Sequence, residues 1–185
     1  RTGIDLPNEG KGYNGGTADA FSALDFAFGQ FDLYTPLQLA QYMSTIANGG
    51  TRIAPRLVKE IHETSPKGGI GNLEDVIPTK IMNTLQVEKK ILDHIKEGLY
   101  RVTHGENGTS ASTFKNYSPE VAGKTGTVEA FYSGPNPAYK NEAVENSTFI
   151  SYAPYDNPEI VVSVVAPYFK DGLPSDYAAK IAKKV

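Results

Sequence analysis

The chain has 185 residues, of which 39% are apolar, 10% aromatic and 21% charged, and its formal net charge is −3. This composition is typical of a globular protein with enough chain for one sizeable core, and it excludes a disordered or repetitive sequence. The small negative charge gives no reason to expect nucleic acid or an anionic membrane surface as a partner. Because the sequence has no cysteine, disulfides and thiolate metal sites are excluded.

The apolar runs of the sequence and its two ends indicate how many domains to expect. The longest apolar run, residues 160–166, is far too short to cross a bilayer, and none of these 185 residues is expected to form a signal peptide. The sequence starts at Arg1 and stops at Val185 inside a helical pattern. We therefore expect residues 1–185 to be one domain, or a piece of one, from a longer protein.

The first clear element after a glycine-rich start is a helix over residues 36–48. Thr35 is a good N-cap, Pro36 suits the first helical position, and Gln38 completes a capping box. Glycines at positions 49 and 50 can end the helix in the left-handed conformation. The spacing predicts one buried stripe, made of Leu39, Met43 and Ile46.

The middle of the chain combines an extended segment, a turn and a second helix. Residues 51–63 favour an extended conformation, because Pro55 interrupts any helix, and residues 65–72 favour a turn. A helix is predicted over about residues 88–103. Its expected buried face consists of Ile91, Ile95, Leu99 and Val102.

Three strands are predicted in the last third of the chain, over Glu120–Ala130, Ser147–Tyr155 and Glu159–Pro167. A loop of about 16 residues, 131–146, separates the first two strands, and a long loop beside a compact sheet is often functional. A final helix is expected to begin near Ser175 and to turn Tyr177 and Ile181 inward.

Two short patterns of serine-acylation chemistry lie close together. Ser112 and Lys115 fit S-x-x-K, in which a lysine one turn along a helix helps to activate a serine. That chemistry needs a helix held firmly in a core, whereas Gly108 and Pro119 leave room for about two turns with little apolar face. The pattern therefore indicates a surface turn or short helix, and Ser112 is not expected to be a nucleophile.

The second pattern is K-T-G at residues 124–126, within a strand-like run. Gly126 would leave a strand face bare for a substrate backbone, and Lys124 would place a cation beside that face. Thr125 and Thr127 are two apart in a strand, so they point the same way and could bind an anionic group. From these residues alone, an ordinary edge strand with a solvated lysine is an equally good interpretation.

Several blocks of sequence favour a substrate-binding strand over a plain edge strand. Taken together and in their order along the chain, they resemble the C-terminal part of the transpeptidase domain of class B penicillin-binding proteins. The blocks are "RTGIDLP" (1–7), "YTPLQLAQYMSTIANGG" (34–50), "EGLYRVT" (97–103), "GTSASTF" (108–114), "AGKTGTVE" (122–129) and "STFISYAPYDNPEIVVSVVAP" (147–167). Class B penicillin-binding proteins are membrane-anchored bacterial enzymes that cross-link peptidoglycan and are acylated by β-lactams. The resemblance covers nearly the whole chain.

The resemblance implies an α+β fold, an antiparallel sheet flanked by helices, of which this chain would hold the last three strands. It also implies that the S-x-x-K serine and an S-x-N motif lie upstream. No S-x-N occurs in the chain, and Tyr139-Lys140-Asn141, which fits a Y-x-N variant, falls after K-T-G and is discounted. The chain is thus interpreted as the C-terminal portion, residues 1–185, of a single transpeptidase domain.

The roles of the site residues follow from the same resemblance. Lys124 would support the electrostatics of the site and proton shuttling. Thr125 and Thr127 would bind the carboxylate of the substrate or β-lactam through their hydroxyls. The Thr127 N–H would form half of the oxyanion hole, and Gly126 would keep the strand open for an antiparallel substrate backbone.

The implied partners are peptidoglycan stem peptides, β-lactams and the upstream half of the same protein, which would carry a membrane anchor and place this chain on the extracytoplasmic face of a bacterial membrane. No cofactor is implied, and His62, His94 and His104 lack metal-ligand spacing. Two other functions stay open: a β-lactam sensor or β-lactamase-like domain, and a non-catalytic binding fragment. Tyr132 and Tyr139 are expected to link loop mobility to substrate entry.

Overall fold

The computed structural model describes residues 1–16, 23–25, 29, 32–169, 174 and 176–185. Its strands are β1 (Thr51–Ile53), β2 (Glu60–Thr64), β3 (Ile70–Val76), β4 (Ile81–Thr84), β5 (Ala122–Phe131), β6 (Ala143–Ala153) and β7 (Ile160–Phe169). The helices that matter here are α1 (Pro36–Ala47), α2 (Lys89–His104), α3 (Ala111–Phe114) and α4 (Tyr177–Ala182), and Pro137–Tyr139 forms a 3-10 turn.

The centre of the fold is an antiparallel sheet in the order β5-β6-β7. The register pairs Ala122 with Tyr152 at one end of β5 and Phe131 with Ala143 at the other. The three predicted strands are therefore confirmed, as is the α+β class with an antiparallel sheet flanked by helices. Within the described residues, β5 pairs on one side only, so it forms an edge of this sheet.

Each face of this sheet has its own apolar core, because side chains alternate between the faces of a strand. On one face α1 and α2 cover the sheet, and the buried cluster is Met43, Ala47, Ala122 and Tyr152. On the other face α3 and α4 cover it, and the buried cluster is Phe114, Val121, Phe149, Ala178, Ala179 and Ala182. The sheet is thus held from both sides beside the K-T-G segment.

Helix α1 begins as the sequence predicts. The Thr35 hydroxyl accepts from the Gln38 N–H at 3.2 Å, and the Gln38 side chain accepts from the Thr35 N–H at 2.8 Å, so the capping box is complete. Met43 and Ile46 are buried, whereas Leu39 is half-buried. The expected stripe therefore packs mainly through its C-terminal part.

The prediction of a buried face on α2 is wrong for Ile91 and Ile95, the first two residues of that face. Ile91 and Ile95 are 45% and 40% exposed, and the buried residues are Leu92 and Thr103. The helix contains two overlapping apolar stripes at helical spacing. The Thr103 hydroxyl bonds the Val121 carbonyl at 2.5 Å, at the start of β5, so the stripe in line with Thr103 faces the sheet.

Two small sheets extend beyond the central one. Strands β1 and β4 form one, and β2 and β3 form the other, both antiparallel. Neither β3 nor β4 is predicted from the sequence. A turn is expected over residues 65–72, but β3 already begins at Ile70, so the turn is shorter than predicted. The strands β3 and β4 lack a buried face, so they lack the alternation that signals a strand.

The loop between β5 and β6 is shorter than the predicted 131–146. Because Phe131 pairs with Ala143, the connection is residues 132–142. The final helix starts at Tyr177, with Asp176 as its N-cap, and the expected cap Ser175 lies outside the described residues. Its inward residues are Ala178, Ala179 and Ala182, whereas Tyr177 is half-buried and Ile181 is 39% exposed.

Candidate active site

The K-T-G residues lie near the middle of β5, where the register divides them between the two faces of the sheet. Lys124 pairs with Ile150 and Gly126 with Thr148, on the side of α1 and α2. Thr125 and Thr127 lie on the opposite side, which α3 and α4 cover further along the strand. The expectation that the two threonines point the same way agrees with this alternation.

The main chain of β5 presents alternate residues to its free edge. The Gly126 carbonyl faces β6, because it accepts a hydrogen bond from the Thr148 hydroxyl at 3.3 Å. The direction of N–H and C=O groups alternates along a strand. The main-chain groups of Thr125 and Thr127 therefore face away from β6, toward the edge that no described residue pairs.

Lys124 brings a positive charge to that same edge. Its side chain is exposed, and its Nζ donates to the Thr125 carbonyl oxygen at 2.7 Å. The ammonium thus folds from one face of the sheet onto the outward-facing carbonyl. Outward N–H groups and an adjacent cation together form a surface suited to a negatively charged or strongly polarised oxygen.

The two threonine side chains differ in surroundings. Thr127 is exposed, whereas Thr125 is only 9% exposed and its hydroxyl lies 2.9 Å from that of Thr109. Thr109 is not predicted as a site residue, although it lies in the block at 108–114 that carries the resemblance. Thr109 and Thr125 are 16 residues apart, so no local spacing in the sequence indicates their contact.

Gly126 also has a packing role beside the substrate role that the resemblance implies, and the substrate role stays a prediction. A Cβ built there would lie 2.4 Å from the Thr148 Oγ1, so a side chain would displace that hydroxyl. Gly123 is more constrained, because a Cβ there would lie 2.7 Å from the Ile150 carbonyl oxygen and 2.6 Å from the Phe149 ring. The glycines of this strand thus serve close packing against β6.

In the S-x-x-K look-alike, Ser112 lies on the four-residue helix α3 and Lys115 is the C-cap of that helix, and both are exposed. This confirms the short surface helix that the sequence predicts. Between them, the Thr113 hydroxyl donates to the Asp176 carboxylate at 2.6 Å, and the Thr113 main-chain carbonyl accepts from the Lys183 Nζ at 2.6 Å. Contacts with the C-terminal helix hold this segment in place.

The Asp176 carboxylate is the charged group at the centre of that contact. Burial by itself would raise the pKa of Asp176, but the hydrogen bond from Thr113 and the nearby Lys180 ammonium hold it below its ordinary value. The carboxylate is therefore ionised in the folded protein at neutral pH, and it stabilises the contact between α3 and α4 in that form.

The tyrosine residues of the 132–142 loop pack on one another. The Tyr132 ring contacts Tyr139 and Tyr168, with centroids 5.9 and 4.7 Å apart, and the Ser133 and Tyr168 hydroxyls are 2.9 Å apart. Tyr168 has a φ of 65°, which is uncommon for a bulky residue. Whether this cluster affects substrate entry stays a prediction.

The described part of the chain shows neither a cluster of metal-ligating side chains nor a membrane-spanning helix. Within residues 1–16, 23–25, 29, 32–169, 174 and 176–185, no three His, Asp or Glu side chains are grouped so that they could hold a metal ion. No helix among these residues is long and apolar enough to span a bilayer.

An antiparallel sheet between helices, with K-T-G on its edge strand, is the arrangement that the resemblance to penicillin-binding transpeptidase domains implies. The model of the penicillin binding protein transpeptidase domain matches residues 1–185, and the chain belongs to this family.

Relatives support the same assignment over most of the chain. Penicillin-binding protein 2A of Bacillus subtilis is 45% identical over 168 residues, which are 91% of this chain and 23% of that protein. The peptidoglycan D,D-transpeptidase MrdA of Haemophilus influenzae is 34% identical over 82% of this chain and 23% of its own length. The chain thus spans about a quarter of the curated relatives that it matches.

A solved structure shows the same fold. Penicillin-binding protein 2B of Streptococcus pneumoniae strain R6 superposes with a TM-score of 0.83 and 36% sequence identity. The match covers 99% of this chain and 29% of that one. The architecture described above is therefore that of part of a penicillin-binding protein.

Proposed function

We propose that this chain forms the K-T-G wall of the active site of a peptidoglycan D,D-transpeptidase, which works by serine acyl transfer and is acylated by β-lactams. Membership of the transpeptidase domain family and the printed name of the Haemophilus relative support the reaction class. The observation that carries the proposal is the edge of β5, where Thr125 and Thr127 present main-chain groups beside the Lys124 ammonium.

The reaction takes place in two steps. A serine outside this chain attacks the penultimate D-Ala carbonyl of one stem peptide, the peptide bond breaks, and the terminal D-Ala leaves as a free amine whose nitrogen has taken the proton that the serine gave up. An amine of a second stem peptide then attacks the resulting ester, a new peptide bond forms, and the serine regains its proton. No redox partner or cofactor is needed for either step.

The residues of β5 have distinct roles in this proposal. Thr125 and Thr127 bind the carboxylate of the substrate or drug through their hydroxyls. The Thr127 N–H supplies half of the oxyanion hole, since it faces the free edge, and Gly126 lets an extended substrate run antiparallel along that edge. Lys124 lowers the energy of the developing negative charge and assists proton movement.

The wider context belongs to the same proposal. Residues 1–185 are the C-terminal portion of one transpeptidase domain, and the upstream half of the protein supplies the serine, the S-x-N motif and a membrane anchor. The domain then lies on the extracytoplasmic face of the bacterial membrane, where stem peptides are found. Within the described residues the outer edge of β5 is unpaired, and such an edge leaves room for a substrate strand beside K-T-G.

Fluorescent penicillin labelling of the full-length protein tests the proposal. We expect Lys124→Ala to lower the acylation rate by about a hundredfold, because it removes preorganised positive charge. Lys115→Ala is the matched control, since Lys115 is also an exposed lysine but lies at the C-terminal end of α3, away from β5, and this variant should label normally.

Release of D-Ala from a stem pentapeptide separates the alternatives. A transpeptidase releases D-Ala and transfers the acyl group to an added amine. A sensor or a β-lactamase-like domain binds penicillin but neither releases D-Ala from the pentapeptide nor transfers its acyl group. If the unaltered protein neither labels nor releases D-Ala, the proposal is wrong.

A further inference from the structure

Thr109 lies outside the set of site residues assigned above, yet its side chain touches that set directly. Its hydroxyl oxygen is 2.9 Å from the Thr125 hydroxyl oxygen, and Thr109 itself is exposed. Thr127, on the same face of the strand, has no side-chain hydrogen bond to another of the described residues. The two threonines assigned to carboxylate binding are therefore not equivalent, and the difference is Thr109.

The position of Thr109 is fixed by the end of helix α2. The Ser110 N–H donates to the Val102 carbonyl at 3.0 Å, and the Gly108 N–H donates to the Gly105 carbonyl at 3.0 Å. A Cβ on Gly108 would lie 2.4 and 2.5 Å from the carbonyl oxygens of Arg101 and Val102. Only glycine allows this close approach, so the chain passes from α2 to Thr109 along one tightly held path.

Helix α2 is in turn attached to the start of β5. The Thr103 hydroxyl, which is buried, bonds the Val121 carbonyl at 2.5 Å. Thr109 and Thr125 are thus carried by two elements that are locked together a few residues away. Their 2.9 Å contact is therefore set by the packing of α2 against β5.

The chemistry of paired hydroxyls gives this contact a consequence. A threonine hydroxyl has one proton to donate and two lone pairs that accept. When the Thr125 hydroxyl accepts from Thr109, its own proton is free to be donated to another acceptor. Hydrogen bonds in such a chain strengthen one another, most of all when the last acceptor is charged.

We infer that Thr109 is a positioning residue for carboxylate recognition: it donates to the Thr125 hydroxyl and so directs the single Thr125 proton to the carboxylate of the stem peptide or β-lactam. This role rests on the proposed function, because it deepens the assignment of Thr125. Without a bound anion, either of the two hydroxyls can be the donor. Binding of the anion then selects the direction.

The experiment uses the full-length enzyme and two probes that differ only in charge, benzylpenicillin and its methyl ester. We expect Thr109→Val, which keeps the shape but removes the hydroxyl, to weaken benzylpenicillin binding before acylation by about tenfold. Its effect on the ester should be small, since the ester carries no carboxylate. Thr109→Ser, which keeps the hydroxyl, should bind benzylpenicillin as the unaltered enzyme does.

Two further variants serve as controls. Thr84→Val removes an exposed threonine hydroxyl on β4 and should change neither probe. In a Thr125→Val background, Thr109→Val should have no additional effect, because the hydroxyl that it positions is gone. Thermal unfolding of each variant checks that the fold is kept, and Thr109→Ala replaces Thr109→Val if the latter is destabilised.

The outcomes separate this role from the proposed function. If Thr109→Val binds benzylpenicillin normally, or loses both probes equally, the positioning role is wrong while the transpeptidase assignment stands. If the unaltered enzyme is not acylated at all, the proposed function is wrong and the positioning role with it.

Discussion

The central sheet and the outer β2–β3 hairpin are both antiparallel, yet they differ in what covers them. The central sheet has a helix-covered core on each face, and its Phe149 and Tyr152 are almost fully buried. In the hairpin, nearly every residue is exposed, and Ile70 reaches 83% exposure. The site residues lie on the covered sheet, where packing fixes the direction of each main-chain group.

The largest contrast is expected from deleting one apolar side chain in each sheet. Phe149→Ala leaves a cavity between β6 and the helices α3 and α4, so it should cost about 3–5 kcal/mol of unfolding free energy. Leu73→Ala, on the exposed hairpin, should cost under about 1 kcal/mol. Urea denaturation of the full-length protein measures both, and equal losses would mean that the hairpin is covered as well as the sheet.

A smaller contrast separates the two glycines of β5. Gly123→Ala forces a Cβ against the Ile150 carbonyl and the Phe149 ring, and should cost about 2–3 kcal/mol. Gly126→Ala meets only the Thr148 hydroxyl, which can rotate, and should cost about 1 kcal/mol. In a Thr148→Ala background the Gly126→Ala cost should nearly vanish. Persistence of the full cost there would contradict this account of the glycine.

The Asp176 contact should show itself through pH. Its pKa is lower in the folded state, so its stabilising effect is fully present above the unfolded-state pKa of about 3.9 and disappears as the pH falls through the folded-state value. Asp176→Asn should therefore cost about 1 kcal/mol at neutral pH and progressively less in acid. Urea denaturation over a pH series measures the difference.

Asp93→Asn is the matched control for Asp176, because Asp93 also pairs with a lysine four residues away, but at the surface. Its effect should stay below about 0.5 kcal/mol at every pH. A difference at Asp176 that does not change with pH would show that the charge of its carboxylate has no part in the contact.

The smallest effect is expected at the look-alike motif. Ser112→Ala removes an exposed hydroxyl from a helix that Thr113, Asp176 and Lys183 hold, so neither stability nor penicillin acylation should change measurably. Labelling of the full-length enzyme measures the second. Loss of acylation in this variant would make Ser112 the nucleophile and overturn the interpretation of the motif.

The parts of the fold that sequence predicts are those whose periodicity reflects burial. Helix α1, with its capping box, and the three strands of the central sheet all bury one face or both, and each is predicted from its pattern. Strands β3 and β4 bury nothing, so their sequences lack alternation. In α2 two apolar stripes compete, and the choice between them depends on the tertiary contact of Thr103 with β5.

The candidate site shows the same division. The K-T-G pattern is local, so the sequence identifies its residues, and the resemblance of the surrounding blocks favours an active site over a plain edge strand. Thr109 is assigned to the site only by a contact across 16 residues of sequence. The reason for a glycine at position 126 also needs the structure, because it depends on Thr148 of the neighbouring strand.

The unpaired edge of β5 has a consequence for how the protein behaves in concentrated solution. A row of outward N–H and C=O groups is a template for any extended chain, including a strand from a second molecule. Charged side chains on an edge are a common protection against such pairing, and Lys124 and Glu129 are both exposed on β5. The lysine proposed for catalysis would then also keep neighbouring molecules from pairing along this edge.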